Sequence, residues 1–150
     1  MTQVSNIYDA YVSMIASQLP TYKRITNPYE PTQNAGLLLQ KGYGIGIGPA
    51  ENTERIITCK VSIVRTFEIL LINQINTTEN NISAKATIEK TIMEDLFKLI
   101  KQVDKDPSLQ QTSIKSSYVS DNGLEYLEAE KAKFYLVRAT FDSEYLEDTA

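Results

Sequence analysis

Few residues in this chain combine the type and spacing that catalysis needs. Histidine is absent and there is one cysteine, Cys59. Without imidazole, the common catalytic triads, histidine-based metal sites and imidazole proton transfer are all excluded. A nucleophilic thiol needs a base beside it, and no histidine can serve Cys59. Cys59 falls in phase with a run of apolar strand residues, so it reads as a small buried apolar side chain. A single cysteine closes no internal disulfide, and the fold must stand on its core.

The glycines of Lys41 to Glu54, KGYGIGIGPAENTE, suggest phosphate binding at first sight. A dinucleotide fingerprint needs G-x-G-x-x-G between a strand and a helix, and a P-loop needs Gly-Lys-Ser/Thr. Here Gly42, Gly44, Gly46 and Gly48 alternate with Tyr43, Ile45 and Ile47, and a strand follows. That pattern reads as a strand with bare backbone on one face and large apolar groups on the other, suited to close backbone packing or subunit contact. The carboxylates Glu125, Glu128, Glu130, Asp142, Glu144, Glu147 and Asp148 could hold Mg²⁺ or Ca²⁺ in principle. They are scattered and match no Ca²⁺ loop, so they read as a solvated acidic edge able to steer a partner. Arg65 interrupts an apolar strand face. Either a bulge near Val64 turns it outward, or it faces a polar channel or a partner subunit. Tyrosines outnumber phenylalanines nine to four, and tyrosine serves interfaces well.

The elements that would position these residues follow from periodicity. Arg55 to Gln74 alternates Ile57, Cys59, Val61, Ile63, Phe67, Ile69 and Leu71 with polar residues, which predicts one very long strand with one face buried. Val4 to Leu19 carries apolar residues at spacings of three and four and reads as a helix capped by Thr2 or Ser5 and stopped by Pro20. Thr21 to Gln40 is irregular, with NPYEP an extended loop and AGLLLQ a short strand or helical turn. Gly48-Pro49 ends the glycine strand, and Ala50 to Glu54 turn the chain into the long strand as a hairpin. After a loop over Ile75 to Asn81, a second amphipathic helix runs from Asn81 or Ser83 to about Val103. Asp106-Pro107 follows its end. Gln111 to Ser120 reads as a strand, Asp121-Asn122-Gly123 as a turn, and Lys131 to Phe141 as a strand. The tail DSEYLEDTA reads as loose. The whole is one α+β domain over residues 1–150. Its sheet is mainly antiparallel with a long central strand, covered by the N-terminal helix and the second amphipathic helix.

The totals agree with a single folded unit: 150 residues, 42% hydrophobic, formal charge −4. The acidic balance argues against broad nucleic-acid binding. No leader-like segment and no run of about 20 apolar residues is visible, so the expectation is a soluble chain of intracellular origin with no membrane contact.

The order of elements, and above all the turn PAENTE (Pro49 to Glu54) leading into RIITCKVSIVRTFEI, resembles the tail terminator proteins of tailed bacteriophages. The resemblance implies a structural, non-enzymatic role without cofactor or metal. Such proteins form rings, usually hexameric, that cap the tail tube and join it to the head-side connector, with DNA only passing through the lumen. It also implies a virion protein assembled in the host cytoplasm. Neck and head-completion proteins are close alternatives in role. A non-phage adaptor and a small carboxylate-based metal-dependent hydrolase are the competing classes. The long strand is expected to reach beyond its own sheet to a neighbour. Tyr43, Ile45, Ile47 and Arg65 are the candidate contact residues for a neighbouring subunit or partner.

Overall fold

The computed structural model describes residues 2–25, 41–57, 59–75, 82–129 and 132–148. The expected NPYEP loop, the AGLLLQ segment and most of the loop before the second helix lie outside these residues. In chain order the elements are α1 (Gln3–Gln18), β1 (Lys23–Arg24), β2 (Lys41–Ile57), β3 (Lys60–Ile75), α2 (Ile82–Gln102), α3 (Pro107–Thr112), β4 (Lys115–Ala129) and β5 (Ala132–Asp148). The strands form one sheet in the order β1-β2-β3-β5-β4. All neighbours are antiparallel except the two-residue pair of β1 with β2. The α+β class and the mainly antiparallel sheet are therefore as expected.

Each helix follows from local chemistry. Thr2 caps α1, its hydroxyl oxygen accepting the Ser5 N–H at 3.2 Å. Ile7, Ala10, Tyr11, Met14 and Ile15 then form the buried stripe. The Asp106-Pro107 pair that follows the end of α2 starts α3, a short helix that takes the first residues of the strand expected over Gln111 to Ser120. The Asp106 carboxylate accepts the Leu109 N–H at 3.3 Å, and proline sits in the first turn, where its missing N–H costs nothing.

The helices share one face of the sheet with the main core. There Tyr11, Met14 and Ile15 of α1 and Ile92, Leu96 and Leu99 of α2 meet Phe67, Ile69, Leu71, Val137, Ala139 and Phe141. Each such large side chain contributes about 1.5–3 kcal/mol by leaving water. A smaller cluster of Ile25, Leu70, Ile72, Phe134 and Leu136 contains the opposite phase of the same strands. Gly42 shows why part of the glycine strand needs glycine. A Cβ there would lie 2.9 Å from Cγ2 of Ile25 and 3.2 Å from Cγ2 of Ile72.

Several boundaries differ from expectation for physical reasons. The hairpin reverses between Ile57 and Lys60, which are paired, not at Ala50 to Glu54. The glycine strand does not end at Gly48-Pro49. Its register shifts there, since Ile47 pairs with Phe67 and Ala50 with Arg65, leaving two residues of β2 opposite one of β3. Such a bulge accommodates a proline that lacks the ladder N–H. Cys59 is not buried in an apolar face. It is exposed, beside the reversal, with φ 62°. Its thiol should therefore react with a water-soluble disulfide reagent in the native chain without denaturant. Cys59→Gly should stabilise by about 1 kcal/mol, because glycine adopts this φ at little cost.

Asp121-Asn122-Gly123 has the predicted local chemistry but a different outcome. Gly123 has φ 75° and donates its N–H to Asp121 Oδ1 at 2.8 Å. The result is a bulge inside β4, with the register shifting between Asp121 and Leu124, and the chain continues as strand to Ala129. The acidic tail is not loose either. Asp142 to Asp148 completes β5 and pairs with Thr66 to Lys60. Ser143 and Tyr145 of that segment are fully buried.

Candidate interaction surface

The four residues expected to meet a partner do not form one exposed patch. Tyr43 and Ile45 point into the helix-covered face and are 5% exposed, so the chain's own core takes them. This corrects their reading as a contact face. The helices lie over the apolar phase of the glycine strand and cover it within the same chain. Ile47, next in that phase, is 47% exposed, because the bulge at Gly48-Pro49 ends the packed stretch.

Arg65 is half-buried and keeps the phase of Ile63 and Phe67. The ladder of β3 with β5 runs without a shift from Lys60 to Ile75, so no bulge near Val64 turns it outward. The irregularity lies across the ladder, in β2 at Gly48-Pro49. The Arg65 guanidinium donates to the Gly48 carbonyl at 3.0 Å and to the Tyr145 hydroxyl at 3.0 Å. These bonds compensate its partial burial.

The length of the strand predicts that its far end takes cover from another segment or a neighbouring subunit. In the structure β3 is hydrogen-bonded along both edges by its own chain, by β2 and by β5. It has no free ladder for a neighbour. What projects instead is an arm. β4 starts opposite Glu144, so beyond that point only β2, β3 and β5 continue. The arm carries Val61, Ile63 and Leu146, each half-buried. Ile114, just before β4, is exposed at its base.

Two buried polar networks were not legible in the sequence. In the first, Tyr11 OH and Ser143 Oγ lie 2.8 Å apart, Ser143 and Ser116 2.6 Å, and Ser116 and Ser113 2.9 Å. Ser113 then donates to the Leu109 carbonyl at 2.7 Å. This hydroxyl chain ties α1 and α3 to β4 and β5. In the second, Tyr22 donates to Asp95 Oδ2 at 2.7 Å and accepts from Asn73 Nδ2 at 3.0 Å, with Lys98 3.5 Å from Asp95. It fastens α2 to β3 and to the turn after α1. Both networks are satisfied internally, and they read as fasteners rather than reactive centres. Among the described residues, no group of three or more His, Cys, Asp or Glu is placed to hold a metal ion.

Burial pushes the Tyr11 phenol up from 10 to about 12. Burial also raises Tyr22, and the Asp95 carboxylate beside it adds to the effect. The folded chain thus keeps a proton that the unfolded chain releases near pH 10. Stability from Tyr11 is fully present below pH 10 and is lost as pH rises through about 12, a loss of roughly 2–3 kcal/mol. Urea midpoints measured across this range should fall steeply, and Tyr11→Phe should flatten the fall.

No protein-family profile matches the chain, and no curated protein matches it. Among the described residues no helix is long and apolar enough to cross a membrane.

Proposed function

We propose that the protein is a structural ring subunit of the tail-terminator kind, one that caps a tail tube and joins it to a head-side connector in a virion. In this reading it uses no cofactor, it meets further copies of itself, the tube protein and the connector, and DNA passes only through the lumen. The observation that carries it is the three-stranded arm past the end of β4, with Val61, Ile63 and Leu146 only half-buried by their own chain. Half-covered apolar residues on a projecting sheet suit burial against a neighbour. Because both ladders of β3 are already paired, the contact runs through the faces and tip of the arm, not along the edge of β3.

Light scattering on the eluting full chain, with electron microscopy of the same fraction, tests the proposal. A closed ring-sized particle, alone or with tube protein, is the expected result. A monomer at every concentration from about 1 to about 100 μM, with and without tube protein, overturns it. A neck or head-completion role shares the ring and is separated by whether tube protein or connector co-sediments with it. A monomeric adaptor is the second reading, and the outer edge of β4, which no described strand pairs, favours it.

A further inference from the structure

The sheet ends at β4, and no described strand pairs with its outer side. Open ladder edges are templates for another strand. The bulges at Val119 and at Asn122-Gly123 divide this edge. The longest regular stretch is Leu124 to Ala129, paired in unbroken register with Val137 to Ala132 of β5; Lys115 to Tyr118 is the shorter one. It spans about 20 Å at the usual strand rise, enough for a short extended segment.

The side chains along this stretch define what would fit. Glu125 and Leu127 share one face and Tyr126 and Glu128 the other, since successive residues alternate. Tyr126 is 46% exposed and stacks edge-on against Tyr135 at 5.7 Å between centroids. The side chain of Glu125 is 45% exposed and that of Glu128 61%. Each carboxylate already has a partner in the chain, and the Tyr126 hydroxyl donates to Glu128 Oε1 at 2.9 Å. Arg138 lies 3.9 Å from Glu125 and Lys133 3.7 Å from Glu128. Carboxylates this exposed gain little from such pairs, and their outward side still offers negative charge to a further cation.

We propose that the Leu124 to Ala129 edge of β4 docks an extended segment of a partner protein bearing a basic–apolar–apolar–basic pattern. The two central apolar residues would lie opposite Tyr126 and Leu127, and the flanking Lys or Arg opposite Glu125 and Glu128. Directly opposed cross-strand pairs of this kind are individually favourable, and added main-chain hydrogen bonds supply affinity. A second copy of this chain fits less well. Two copies of the stretch paired antiparallel about a two-fold axis keep the same face up. Each carboxylate then falls opposite an apolar side chain or another carboxylate. The formal charge of −4 on each copy adds repulsion. The proposal does not depend on the ring.

Hydrogen exchange on the full chain tests it, with a short synthetic peptide centred on Lys-Val-Val-Lys and a counterpart centred on Glu-Val-Val-Glu. At about ten times its dissociation constant the lysine peptide should slow exchange at Leu124 to Ala129 about tenfold further, and the glutamate peptide should not. Glu125→Lys with Glu128→Lys should reverse the preference. Both positions are exposed, and circular dichroism checks that the variant folds. Equal protection by both peptides, or none, overturns the proposal. So does protection of this edge that grows with protein concentration alone, which would assign it to a second copy.

Discussion

Removing Asp142 to Ala150 should abolish cooperative folding. The lost segment pairs with Lys60 to Thr66. It also carries the fully buried Tyr145 and Ser143. Tyr145 burial alone is worth about 1.5–3 kcal/mol. Its loss strips Arg65 of one acceptor, Tyr11 of its buried partner Ser143 and Ser62 of Glu144 Oε1. Each buried polar group that loses a partner costs up to about 1–3 kcal/mol. The sum approaches the roughly 5–15 kcal/mol that holds a domain together. The measurement is thermal melting followed by circular dichroism. A sigmoidal transition surviving within about 0.5 kcal/mol of the full chain would mean that the segment is the loose tail its composition suggests.

Phe67→Ala should be the most damaging single substitution, costing about 3–5 kcal/mol. Phe67 is fully buried at the centre of β3, and its ring centroid lies 4.9 Å from that of Tyr11. Tyr11 also packs 6.1 Å from Phe141, so a cavity at Phe67 loosens the contact of α1 with both central strands. Ile47→Ala, at an exposed residue paired with Phe67 across the ladder, should change stability by no more than about 0.5 kcal/mol. Urea denaturation of both variants measures the contrast. A cost below about 1 kcal/mol at Phe67 would show that the helices do not bear on this face.

The contrast between these residues also marks what the sequence could tell. Phe67, Ile69 and Leu71 announced their buried face by alternation, and the stripes of α1 and α2 announced theirs. The hairpin reversal did not show, because Ile57, Cys59 and Val61 continue the alternation across it and no Asn-Gly pair marks the turn. The chemistry of Asp121-Asn122-Gly123 was legible, but a positive φ with a local side-chain acceptor serves a bulge as readily as a turn. In Asp142 to Asp148 the inward positions include Ser143, so a polar residue on the buried phase hid the strand. Which neighbours cover Tyr43 and Ile45 but spare Ile47 depends on helix placement and on the bulge at Gly48-Pro49. Neither is written into the local pattern.

The sheet order has a consequence for how the chain comes to be folded. β5 follows β4 in sequence yet lies between β3 and β4. While the chain is being made, β2 and β3 can close as a hairpin, but the inner edge of β3 and the rings of Phe67 and Tyr11 wait for Phe141 and Tyr145. α2, α3 and β4 all emerge in that interval. Pairings between distant segments form slowly, and an unfilled edge is open to wrong partners until they do. Newly made chains should therefore depend on chaperones or on low local concentration until β5 inserts, and a ribosome stalled before β5 should display an aggregation-prone sheet.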